Sequence, residues 1–285
     1  MIPEFERLIA TIIEKNISAE NMQWLNQQAT LVKQEENAAK LNLAFVSIPR
    51  KTGHNIVKIS DADAQQLTSL IPEFSLNGWS IDRLSRLWLL LQIPSTNQDD
   101  YIKKIDALFR NADMNEQTAL YSSLYFFAYP NLWQQRCAEG IRSNIGTVLE
   151  AIMYHNPYPA KYLGEKAWNQ LVLKAFFTEK EINNIVGIDE RSNSELACTL
   201  LDYANERWAA HREVNPQLWR LVSKFIDDAL LPHFQRLLQS DNEKEQQAAA
   251  LSLYNSAHQP ARDLLKQHPV LVQQIEEHTL SWRNI

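Results

Sequence analysis

The segments EGIRSN (139–144), NPYPAKY (156–162), AWNQLVLKAF (167–176), GIDERSN (187–193), LLDYANERWAAHR (200–212) and PQLWR (216–220) decide how this chain is read. Apolar residues recur at helical period over 168–177. GIDERSN predicts a loop whose Ser192 or Asn193 caps a long helix over 194–211. Pro216 opens another helix carrying Leu218, Trp219, Leu221, Val222 and Phe225. Two helical runs, 132–141 and 145–154, are interrupted around Arg142 and Asn144. In NPYP (156–159) each proline removes a donor and restricts the residue before it, so an extended or turned segment is expected. Arg, Asn, Asp, Glu, Tyr and Trp crowd these otherwise packed helices, so a site is sought in 139–220.

Reading outward toward the C-terminus, HFQRLLQSDNEKEQQAAALSLYNSA (233–257) predicts one helical hairpin of the HEAT kind. Phe234, Leu237 and Leu238 form one ridge, SDNE the turn, and 248–253 the second ridge. QPARDLLKQHP (259–269) and VLVQQIEEH (270–278) continue in that style. Such hairpins bury each other's faces by stacking. The repeat of roughly 40 residues expected of them is not visible upstream of residue 230. The expected fold is an all-α, multi-helix array, partly α-solenoid with HEAT-like hairpins at the C-terminus. Three regions are expected: 1–94, an N-terminal helical region; 95–229, the core; and 230–285, the C-terminal helices, together one continuous helical domain.

Reading outward toward the N-terminus, Phe5, Leu8, Ile9, Ile12 and Ile13 recur at helical spacing after Pro3. Ser18 caps a second helix whose apolar face holds Met22, Leu25, Ala29 and Val32. A helix over 38–48 is expected to end at Pro49, and 56–59 to form a short strand. Ser60 or Asp61 starts a helix that stops before Pro72. Trp79, Ser80 and Leu84 have the spacing of a hydrophobic staple. The helix that follows, 81–92, is expected to expose Arg83 and Arg86. Helices are also expected over 99–111 and 115–128, the second rich in aromatics: Tyr121, Tyr125, Phe126, Phe127 and, just beyond it, Tyr129.

Composition narrows the function. Only six glycines are present, none in the Asn-Gly or Asp-Gly pairs that hairpin turns favour. The net charge of −6 argues against nucleic acid, whose phosphates demand a basic face. Cys137 and Cys198 lack a second ligand at metal spacing and are expected to be buried thiols in a reducing compartment. No cationic start leads into an apolar stretch at the N-terminus, and runs such as LWLLL (87–91) are too short to span a bilayer. A cytoplasmic protein without cofactor or metal is expected.

Asp202 and Glu206 lie four apart on one helical face, where paired carboxylates can serve acid–base chemistry or a metal. Arg191, Arg207, Arg212 and Arg220 are near in sequence, and no Glu-x-x-His motif accompanies the pair, so ion pairing is the preferred expectation. The histidines form no ligand spacing, and no serine or cysteine stands in a nucleophile motif. Trp168, Trp208 and Trp219, with Tyr158 and Tyr203, fit either a helix interface or an aromatic pocket. Polar neighbours costly to bury without partners tilt the balance toward a pocket. The candidate ligand-binding residues are Arg142, Asn144, Tyr158, Asn169, Gln170, Lys174, Arg191, Asp202, Glu206, Arg207, Trp208 and Arg220.

The same six segments resemble the signature of the EboA family of bacterial ebo gene clusters, and the resemblance covers about 79–260. Departures from the pattern are Asn205, where the family leads one to expect His, and Leu171, where Met is expected. The resemblance implies metabolite traffic: moving a small secondary metabolite out of the cytosol. It also implies partners, namely other proteins of the ebo cluster and a small aromatic metabolite. It carries over no catalytic residue. A non-enzymatic binder or scaffold is the leading expectation. The alternatives are an enzyme using Asp202 and Glu206 with a nearby arginine, and a pure protein–protein adaptor.

Overall fold

The computed structural model describes residues 2–34 and 38–285. It divides into two compact units, residues 1–167 and 168–285. The first holds α1 (Ile2–Asn16), α2 (Ala19–Gln34), α3 (Ala38–Thr52), α4 (Asp61–Leu70), α5 (Ile81–Leu90), α6 (Gln98–Asn111), α7 (Met114–Ser122), α8 (Gln134–Ile141), α9 (Gly146–Met153) and α10 (Pro157–Tyr162). Helix α11 (Glu165–Phe177) starts at the division. The second unit continues with α12 (Ser194–Ala209), α13 (Leu218–Val222), α14 (Leu231–Leu238), α15 (Glu243–Tyr254), α16 (Gln259–Leu265) and α17 (Pro269–Glu276). The all-α expectation holds: no strand occurs among the described residues, and the strand expected at 56–59 is an isolated bridge between Ile56 and Ser80.

Helix α5 organises the first unit. Every residue of it except Arg83 is buried, its polar residues included, and α1, α2, α3 and α7 all pack on it. This burial corrects the expectation that Arg86 is exposed: Arg86 is only 2 % exposed, and Arg83 lies half-buried with its guanidinium 3.9 Å from the Trp79 ring centroid. The Arg86 Nη1 donates to Asp82 Oδ2 at 2.7 Å, and its Nη2 lies 3.8 Å from Glu116 Oε1. His54 Nδ1 lies 3.4 Å from the other Asp82 oxygen.

Three expected helix boundaries move, each for a reason visible in the hydrogen bonds. Pro49 does not end α3, which runs on to Thr52. A proline frees the carbonyl four residues earlier. Here that carbonyl, Phe45 O, accepts from Arg86 Nε at 3.3 Å. The NPYP segment is helical, not extended. Asn156 caps α10 by accepting from Tyr158 N at 3.0 Å, and the prolines fall in the first turn, where no amide hydrogen is needed. Helix α7 stops at Ser122 rather than 128. Ser122 and Ser123 bond back to Thr118 O and Ala119 O, and a 3-10 turn over Leu124–Phe126 follows.

Gly140 in α8 has a packing reason. A Cβ there would lie 2.4 Å from Tyr121 Cε1 and 2.6 Å from Ile152 Cδ1, so α8 approaches its neighbours as only glycine permits. In the second unit the hairpin expected over 233–257 is present as α14 and α15. Helices α13, α14, α16 and α17 all pack on α15. That hub is not by itself the one-neighbour stacking of a solenoid.

The buried phenols predict an alkaline response. Burial pushes Tyr101 and Tyr121 up to about 12, and Tyr158 higher still. An unfolded tyrosine ionises near pH 10. A raised phenol favours the folded state while it is neutral. That contribution is complete below about pH 10 and is lost as pH climbs toward 12. Absorbance at 295 nm should therefore show a class of tyrosines ionising only as the protein unfolds at high pH. Titration of every tyrosine near pH 10 with the fold intact, read by circular dichroism, contradicts this.

Candidate functional site

The expected site residues fall into both units, and each unit is taken by itself. In the first, Arg142 and Asn144 are exposed in the bend between α8 and α9. Tyr158 is fully buried, and its hydroxyl donates to Pro130 O at 2.7 Å. Tyr158 is therefore a wall-building residue with its polar handle spent on backbone.

In the second unit, three expected residues brace the GIDERSN loop. Asn193 caps α12 by accepting from Leu196 N at 2.9 Å. Its amide donates to Asn169 Oδ1 at 2.9 Å and to Arg191 O at 3.2 Å. The Arg191 guanidinium lies 4.7 Å from the Trp168 ring centroid. Arg220 forks onto both oxygens of Asp189 and donates its Nη1 to Asn183 Oδ1 at 2.8 Å. Bidentate pairing of this type adds geometric definition to the loop.

The expected pairing of Asp202 and Glu206 with arginines is not formed. Both carboxylates lie exposed on α12, and Arg220 has taken Asp189 instead. A solvated carboxylate gains little from an ion pair, which offsets poorly the cost of ordering two long side chains. Gln170 is exposed and Lys174 half-buried on α11. The expectation of two buried thiols is half corrected: Cys137 is buried, which pushes its thiol up, and Cys198 is exposed on α12.

Two clefts open at the C-terminal end of α12. The first, about 460 Å³, is lined by Arg207, Lys180, Asn183, Tyr203, Gln217 and Lys244, among others. Arg207 Nε donates to Glu213 O, and its guanidinium lies 5.8 Å from the Tyr203 ring centroid. The second, about 630 Å³, is lined by Trp208, His211, Arg212, Arg236, Asp241 and Glu245, among others. Trp208 stacks on the fully buried Trp219, with ring centroids 5.4 Å apart and planes inclined by 23°. The Arg236 guanidinium lies 4.1 Å from the Trp208 ring centroid, within cation–π range. His233 stacks on Trp208 at 5.9 Å and meets Asn205 Oδ1 at 3.2 Å.

Among the residues at these contacts and clefts, the sequence singles out Arg207, Trp208 and Arg220 but not Asp189, Arg236 and Lys244. Asp189 stood inside a quoted loop and had a signal. Arg236 and Lys244 had none, because they reach α12 only through the return of the α14–α15 hairpin. Among the described residues, no group of three His, Cys, Asp or Glu side chains is placed to hold a metal ion. No helix there is long and apolar enough to cross a membrane.

These features define an all-helical protein that presents aromatic and ionic side chains in open clefts. The family described as "Metabolite traffic protein EboA" matches residues 5–223, most of the chain and both clefts' α12 wall. The chain belongs to the EboA family. No curated protein and no solved structure matches it.

Proposed function

We propose that this protein serves metabolite traffic in the cytoplasm by holding a small molecule without transforming it, together with partner proteins of the ebo cluster. The observation that carries the reading is the Trp208 face, backed by Trp219 and set beside Arg236 and Arg212 in a cleft of about 630 Å³. A ring held by packing from behind and flanked by cations binds a planar or anionic group with little reorganisation. The enzyme alternative requires Asp202 and Glu206 to face a cleft, and they line neither. The adaptor alternative is favoured by one feature. Leu43 and Val46, one turn apart on α3, are 69 % and 51 % exposed, the kind of apolar surface that marks a protein contact.

Native mass spectrometry of tagged full-length protein, recovered gently from its own host, tests the reading. A small-molecule adduct lost on Trp208→Ala is expected. Co-purifying proteins with no adduct would replace the carrier reading by the scaffold.

A further inference from the structure

The aromatic run expected upstream of Pro130 is not used by the α12 clefts. In the first unit it forms a separate cleft of about 340 Å³ lined by Tyr101, Tyr125, Phe126, Phe127 and Tyr162, with Leu91 among the aliphatic neighbours. That volume lies at the low end of small-molecule sites. Tyr101, Phe126 and Phe127 are buried, whereas Tyr125 and Tyr162 are half-buried and keep ring surface open. Phe126 stacks on Phe5 at 4.3 Å and meets Phe74 edge-on at 5.1 Å. Phe127 meets Phe109 and Trp133, and Tyr162 leans on Tyr158 at 5.1 Å.

The backbone of the wall is also pinned. Ala128 N donates to Tyr101 Oη at 3.2 Å, Trp133 Nε1 donates to Ala128 O at 2.8 Å, and Tyr158 Oη donates to Pro130 O. Between them Tyr129 holds φ 55° and ψ 53°, a left-handed conformation that a bulky side chain adopts only at a cost. Its hydroxyl donates to Ser95 O across the same cleft margin. Strain kept in place by so many contacts clusters at ligand sites. One cation contacts the lining residue Tyr125. Lys161 is exposed, donates to Tyr125 Oη at 2.8 Å and lies 4.8 Å from that ring's centroid, with two further ammonium hydrogens to offer.

We infer that this cleft binds a planar aromatic molecule carrying an acidic group, its ring lying against Tyr125 and Tyr162 and the acid meeting Lys161. The inference rests on reading the chain as a metabolite-binding protein, and it places a second site apart from Trp208. The half-buried tyrosine rings favour a flat π surface over a saturated one of equal size. The ammonium selects an anionic substituent.

Isothermal titration of the full chain with sodium 2-naphthoate tests it. In a Trp208→Ala background, which disables the other aromatic cleft, saturable one-to-one binding is expected, about 10-fold or more weaker for decalin-2-carboxylate and for 2-methylnaphthalene. Tyr125→Ala and Lys161→Gln, at partly exposed positions that leave the core intact, should each weaken 2-naphthoate by about 10-fold, whereas Trp208→Ala should not. Circular dichroism confirms that each variant folds. Binding indifferent to both first-unit substitutions, or lost on Trp208→Ala, overturns the inference. No binding of the probe by a protein that still carries a host-derived adduct overturns it too while leaving the proposed function standing. No binding and no adduct overturns both.

Discussion

Replacing Arg86 with methionine is expected to destabilise the protein by about 3–5 kcal/mol, a large share of the total stability of a folded domain. Methionine fills much of the volume of the arginine stem, so the loss is electrostatic rather than a cavity. Asp82 and Glu116 have side chains 3 % and 7 % exposed, and the guanidinium is their buried counter-charge. Without it two carboxylates stay desolvated and the Phe45 carbonyl, which Pro49 deprives of its i+4 amide, loses the Arg86 donor. Urea unfolding followed by tryptophan fluorescence measures the loss. Adding Asp82→Leu to Arg86→Met should recover part of it, since an apolar pair is often tolerated where a broken ion pair is not. A change under about 1 kcal/mol for Arg86→Met would show the cluster to be solvated in practice.

Trp219→Ala carries the second large effect, about 3–5 kcal/mol, as for other fully buried large aromatics. Trp219 has no exposed surface, stacks on Trp208 and meets Phe234 edge-on at 5.6 Å. Its backbone carbonyl accepts from Ser252 Oγ at 3.0 Å, which joins α13 to the α15 hub. The indole nitrogen has no hydrogen-bond partner, so nearly all of the cost is packing. Trp219→Phe should therefore lose much less than Trp219→Ala. Because Trp219 backs the Trp208 ring, the alanine variant should also weaken any ligand held there, even under conditions where it remains folded. Near-ultraviolet circular dichroism would report the loss of the stacked pair. Gln170→Ala, exposed on α11, should stay within about 0.5 kcal/mol of the parent and serves as the control.

Much of the helical architecture was legible from period alone. The faces of α1 and α2, the caps Ser60 and Asn193, the α12 span and the α14–α15 hairpin all follow from apolar spacing and from residues that accept amide hydrogens at helix starts. The boundaries differ from expectation for two reasons. At Pro49 a distant side chain, Arg86, supplies a hydrogen bond that local preference cannot anticipate, whereas at NPYP and Ser122–Ser123 the deciding bonds are local, from the Asn156 cap and the two serine hydroxyls. Arg86 was read as exposed because charged residues usually are. Nothing in IDRLSRLWLL (81–90) announces that four other helices enclose it.

The candidate site was legible only where its parts are close in the chain. Trp208 and Arg207 share one helix end, and Asn169, Arg191 and Arg220 stand out as polar residues in packed company, where all three contact the GIDERSN loop or its neighbours. The carboxylates Asp202 and Glu206 have the spacing of a working pair, yet spacing places them on one helix face without saying whether that face meets solvent. By itself the sequence determined the helical class, the family and the richness in aromatics before Pro130, because period, composition and ordered motifs are properties of the chain. Tertiary structure alone decided which arginine is buried, which tryptophan is backed and which rings share a cleft, because burial and partnership arise from residues far apart in the chain meeting in space.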